Sequence, residues 1–162
     1  MTVESTIRST LDDAGLKYEC TEPGAFLVTL PGTRKLATMC WLIVGAHSLL
    51  VEAFVMRQAD ENREQLYDFL LQRNSRMYGV SFALDPSGDV YLVGRLPLHA
   101  ITPEEIDRLL GSVLAYSDEN FNAMLEIGYA SSIRREWEWR VKRGESLANL
   151  QAFARFADPD SA

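Results

Sequence analysis

Residues 80–97 read VSFALDPSGDVYLVGRLP. Val80, Phe82 and Leu84 alternate with smaller or polar neighbours, the period of a strand with one buried face. Asp85-Pro86-Ser87-Gly88-Asp89 has the composition of a turn, and Val90 to Leu96 resumes the strand pattern. The stretch therefore predicts an antiparallel hairpin. The chain then leaves the sheet at Thr102-Pro103-Glu104-Glu105. Thr suits a helix cap and Pro the first helical position. Glu at the third position can reach back to the cap, so a capping box is expected. Ile106, Leu109, Leu110, Val113, Leu114, Phe121, Met124 and Leu125 carry this helix to about Gly128.

At the N-terminus, Val3, Ile7, Leu11 and Ala14 form one apolar stripe, capped by Thr2 and stopped by Gly15. Leu16, Tyr18 and Cys20 alternate as a half-buried strand. Phe26, Val28 and Leu30 continue the pattern after Glu22-Pro23-Gly24. Leu36 to Val44 and Leu49 to Met56 are two further strands, apolar on both faces apart from Glu52. A helix from about Asp60 to Met77 would bury Leu66, Phe69, Leu70 and Met77. After the long helix, Ile133, Trp137 and Val141 and then Leu147 and Leu150 mark a helical extension. Four strands, a helix, two strands and a long helix make an α+β fold: an antiparallel sheet with helices packed on one face. The expected organisation is a single domain over residues 1–157, with a core over about 1–130 and an extension over 131–157. Residues 158–162, DPDSA, are expected to form a disordered tail.

At 162 residues and 18.2 kDa, one domain with a substantial core is expected. Asp plus Glu number 23 against 16 Lys plus Arg, a net charge of −7. That charge repels DNA, RNA and anionic lipid, so nucleic acid is not an expected partner. No apolar run approaches the roughly 20 residues of a membrane helix, and the polar N-terminus does not read as a signal peptide, so no membrane role is expected. Two cysteines, Cys20 and Cys40, give no disulfide framework. A reducing cytoplasm fits them.

Catalytic signals are weak. Gly79-Val80-Ser81-Phe82-Ala83 falls short of a nucleophile elbow, because Ser81 runs on into a strand instead of a helix. Only His47 and His99 could act as its base. Cys20, Cys40, His47 and His99 lack metal-ligand spacing, and a cysteine in an apolar strand is by default a small core side chain. No catalytic residue, metal or cofactor is expected. Pro31-Gly32-Thr33-Arg34-Lys35 is a basic turn that could touch a phosphate, without a following helix to supply amides. Arg134 to Arg143 interleaves arginines with Trp137 and Trp139, a pattern open to RNA. Its alternating charge favours an amphipathic helix with Trp137 on the core.

The two-faced strands are the informative feature. Trp41, Phe54 and Met56 stand where a one-sided sheet would put polar residues. Either the C-terminal extension covers them, or they line a peptide groove or a dimer interface, where Trp, Phe and Met are enriched. On the long helix, Leu109, Val113 and Tyr116 lie beside the main stripe, more than one sheet can cover, so a second subunit is expected on that side.

The run RMYGVSFALDPSGDVYLVGRLPL from Arg76 to Leu98 resembles the YbjN-like family of bacterial proteins, some of which carry a sensory-transduction-regulator label. EEIDRLL from Glu104 and DENFNAMLEIGY from Asp118 look like the same family, which covers roughly residues 1–130. The resemblance implies the fold of type III secretion chaperones: small, acidic, homodimeric proteins that wrap an extended partner segment. It implies no enzyme and supplies no catalytic residues. The expected function is a non-enzymatic, cytoplasmic, homodimeric module that binds a partner polypeptide through apolar sheet surface. The alternatives are a small-ligand sensor with a closed pocket and, behind it, an RNA- or DNA-binding regulator.

Overall fold

The computed structural model describes residues 2–160. Thr2 caps helix α1 (Val3–Asp13), its side chain accepting from Ser5 N. Four strands follow: β1 (Lys17–Glu22), β2 (Ala25–Pro31), β3 (Ala37–Val44) and β4 (Ser48–Met56). Helix α2 (Arg63–Asn74) leads to β5 (Ser81–Leu84) and β6 (Val90–Pro97), then to α3 (Pro103–Gly128), α4 (Ala130–Arg143) and α5 (Ala154–Ala157). All six strands form one antiparallel sheet in the order β1-β2-β3-β4-β6-β5. The α+β expectation therefore holds, with the 85–89 hairpin where its composition placed it.

The helices line one face of the sheet. Phe26, Val28, Cys40, Leu42, Leu49, Val51 and Leu92 point into a single core with Ile7, Leu11, Leu66, Ile106 and Met124. The helix α3 is the spine. It lies on β2, β3 and β4, and carries α1, α2, α4 and the 3-10 turn Ala148–Phe153 against its other sides. Leu109 and Val113 are 1% and 0% exposed as a result. The expectation that a second subunit would cover them is corrected: both are buried within the chain, whose sheet and other helices pack around α3, while Asp107, Arg108 and Gly111 on the same helix stay exposed.

Other local readings shift for identifiable reasons. Thr102 caps α3 by accepting from Glu105 N, but the Glu105 carboxylate accepts instead from Tyr78 Oη at 2.6 Å, so only half of the capping box forms. Asp60 and Glu61 lie outside α2 because both amides bond the Gly128 carbonyl. Asn62, at φ 55°, makes the entry to α2 in the left-handed region that Asn tolerates. The extension turns Ile133 and Trp137 inward, while Val141 is 57% exposed, beyond the reach of α3. Asp158–Asp160 close in a turn held by Asp160 N on Asp158 Oδ1. Ser161 and Ala162, the end of the expected tail, lie outside the described residues.

Candidate functional site

The sheet's outer face runs from Leu27 on β2 through Met39, Trp41 and Ile43 on β3 and Leu50 and Phe54 on β4 to Tyr91 and Val93 on β6. Cross-strand register makes these residues neighbours. Leu27 faces Trp41, Trp41 faces Glu52, Glu52 faces Val93, and Phe54 faces Tyr91. Phe54 and Tyr91 stack edge-on at 5.5 Å. Met39 and Phe54 are 41% and 39% exposed, and Trp41 is half-buried. The C-terminal extension, which could have covered this face, packs on α3 in the opposite layer. A contiguous, partly exposed apolar patch on a sheet face is a candidate contact surface. Glu52, whose partners Trp41 and Val93 are apolar, is the charge in its middle.

Of the three expected anchors, the structure places Trp41 and Phe54 on this face. Met56 is corrected: it is 3% exposed and belongs to the core. Strict alternation would put Met56 beside Phe54. The pairing shifts between Phe54 and Met56, a bulge that leaves Val55 opposite no residue of β6. The extra residue turns Met56 inward opposite Val90, near Gly128 on α3. Tyr116, the third residue expected at a subunit contact, is half-buried, and its hydroxyl accepts from Tyr78 N at 2.8 Å within the chain.

The remaining motifs separate. Ser81 pairs with Val93, whereas the His47 carbonyl meets Leu98 N beyond the end of β6. Five residues of strand put roughly 16 Å between those positions, too far for a serine and its base. Cys40 is buried, and burial pushes its thiol up to about 12, so it is an unreactive core side chain. Cys20 is exposed, contrary to expectation, because β1 is an edge strand that the helices barely cover. Along α4, Trp137 docks inward, Arg140 pairs with Glu136 at 2.8 Å, and Arg134 and Arg143 stack on Phe156 and Trp139. The helix spends these cations within the chain, as the amphipathic reading expects.

The basic turn at 31–35 is an anion cradle whose anion is internal, a partner that sequence pattern did not reveal. Asp118 Oδ1 accepts from the amides of Thr33, Arg34 and Lys35 at 3.0, 2.8 and 2.9 Å, and Oδ2 from the Thr33 hydroxyl at 2.7 Å. A Cβ on Gly32 would strike the Lys35 carbonyl, so glycine is required there. Desolvation pushes the Asp118 carboxyl up and these hydrogen bonds pull it down. The bonds win, holding it below its ordinary 3.8. A depressed folded-state value stabilises the loop above pH 3.8, and the stabilisation is lost as pH falls through the lower folded value. Asp118→Asn is expected to lower hydrogen-exchange protection of the Thr33, Arg34 and Lys35 amides by about tenfold or more at neutral pH. The wild type should lose that protection only in acid.

Comparison with known proteins places this geometry. An uncharacterised protein, Rv0487, of Mycobacterium tuberculosis is 54% identical over 158 residues, covering 94% of this chain and 86% of that one. A Mycobacterium leprae protein, ML2442, is 54% identical over 134 residues, covering 83% and 73%. Among solved structures, the complex of the Yersinia pestis type III secretion chaperone SycH with a fragment of YscM2 aligns at TM-score 0.53 and 21% identity, over 72% of this chain and 97% of that one. The ExsC–ExsE complex aligns at TM-score 0.55 and 19% identity, over 76% and 97%. The HopA1–SchA chaperone–effector complex aligns at 0.53 and 13%, over 70% and 88%. At these identities the likeness shows the fold, that of type III secretion chaperones. The model of the YbjN family, described as "Putative bacterial sensory transduction regulator", matches residues 5–126. The chain belongs to the YbjN family.

Proposed function

We propose that this chain is a non-enzymatic binding module, chaperone-like or regulatory, that takes a segment of a partner polypeptide on the outer face of its sheet. One observation carries the reading: Met39, Trp41 and Phe54 stand together on a face that the C-terminal extension leaves open. An extended or amphipathic segment can lay alternate side chains across such a surface. The fold neighbours support it as analogy, since SycH and SchA were solved in complex with other proteins. The test is capture from native lysate on the immobilised wild-type chain and on Trp41→Glu, side by side. A polypeptide held by the first and lost from the second supports the reading. Equal capture by both contradicts it.

The module acts as a homodimer in this proposal, through a surface other than α3. The strand β5 is a four-residue edge of the sheet. Beside it, Leu71 and Leu84 are 67% and 45% exposed, at a hollow of about 360 Å³ between α2 and β5 lined by Tyr67, Leu70 and Phe82. An exposed strand edge next to an apolar hollow suits self-association. Light scattering at tens of micromolar is expected to give twice the 18.2 kDa chain mass, and Leu71→Glu with Leu84→Glu should return it to one chain. A wild-type mass of one chain would remove the dimer from the account and leave the contact face standing.

A further inference from the structure

A second hollow, of about 370 Å³, opens between the end of β4 and the C-terminal half of α3. Phe54, Met56, Phe121 and Tyr129 give it hydrocarbon walls, and Lys35 and Arg57 add two cations. Lys35 Nζ lies 5.7 Å from the Phe54 ring and 5.6 Å from the Phe121 ring. It donates to the Phe54 carbonyl at 2.9 Å, and an ammonium has two further protons to give. The Arg57 guanidinium lies 5.2 Å from the Tyr129 ring. Neither cation has a carboxylate in salt-bridge range among the described residues; the pairs formed are Arg108–Glu105, Arg140–Glu136 and Arg143–Glu145. In a chain of net charge −7, acids to pair with them are plentiful. The nearby Asp89 is already engaged by Gln58 N, and Asp118, next to Lys35 in space, is spent on loop amides. That grip of Asp118 on the Lys35 amide fixes the backbone from which the lysine reaches the hollow.

We propose that this hollow binds a small amphipathic carboxylate, with its hydrocarbon among Phe54, Met56 and Phe121 and its charge between Lys35 and Arg57. The volume lies at the lower end of the roughly 300–1,000 Å³ of small-ligand sites. Apolar walls with few convergent polar groups suit a single charge on a hydrocarbon body better than a sugar or a nucleotide. Half-burial lowers the Lys35 pKa, and a bound carboxylate would offset the cost of that buried charge. The site shares Phe54 with the contact face but does not rest on polypeptide binding.

The test is titration of the full chain with sodium octanoate, followed by calorimetry and by amide NMR shifts, with 1-octanol and octylammonium as charge controls. Saturable binding is expected below about 1 mM, with shifts centred on Lys35, Phe54 and Phe121. Octylammonium should not saturate. Lys35→Met keeps the hydrocarbon stem and should weaken octanoate about tenfold or more, while Lys35→Arg, which keeps the charge, should stay within a few-fold. Equal affinity for octanoate and octanol, or unchanged octanoate affinity in a folded Lys35→Met variant, overturns the proposal. So does the absence of saturation in the wild type. None of these results alters capture of a polypeptide through Trp41, so the two readings fail separately.

Discussion

Leu109→Ala is expected to destabilise the chain by about 2–5 kcal/mol, the range for removing a fully buried leucine from a packed core. Leu109 is 1% exposed and packs close to Gly79 in the α2–β5 connection. The truncation leaves a cavity that rigid sheet and helix cannot close. For a chain of this size each kcal/mol moves the melting temperature by about 2–4 °C, so a drop on the order of 10 °C is expected. Denaturant unfolding and calorimetry check it. A variant of normal stability but altered molecular mass would put Leu109 at a subunit contact, against the core placement described here.

Phe54→Ser is expected to behave in the opposite way. It should weaken partner capture by more than tenfold, ~1.4 kcal/mol, with only a small change in melting temperature. Phe54 is 39% exposed, and its neighbours, the Tyr91 ring and the Lys35 ammonium, are half-buried rather than part of the closed core. Truncating it opens no internal cavity. Met56, two residues on, supplies the contrast within one strand: Met56→Ser should unfold the chain more readily, because that side chain is 3% exposed. The pair is measured by binding and thermal denaturation of the same preparations. Loss of stability in Phe54→Ser comparable to that in Met56→Ser would make Phe54 a core residue and remove the anchor.

Local pattern was enough to read the sheet and the long helix. Val80 to Leu96 alternates cleanly around a polar turn, and Thr102-Pro103 marks a helix start on its own. The side-chain faces were harder, because they depend on events of a single residue. The shift after Phe54 flips Met56 from one side of the sheet to the other, and nothing in LVEAFVM announces a bulge. Leu109 and Val113 depart from expectation for a different reason. How much of a helix is covered depends on which later segments return to it, and α4 and the 148–153 turn come back from beyond Tyr129. The bonds between Asp118 and residues 33–35 span more than 80 positions in sequence. The basic turn was visible; its internal anion was not. Trp41 and Phe54 could be read as oddities because apolar residues on both faces of a strand need an explanation whatever the register.

In the proposed function, a foreign polypeptide sits on the outer face of the sheet. Site-specific photocrosslinking in cells tests this, with a benzophenone side chain placed at position 41 on that face and, in a separate variant, at position 87 in the exposed hairpin turn. Position 41 is expected to yield an adduct with a different polypeptide, attached within one short segment of it, and position 87 to yield none. Adducts at position 41 only with a second copy of this chain, or equal yields from both positions, would contradict it.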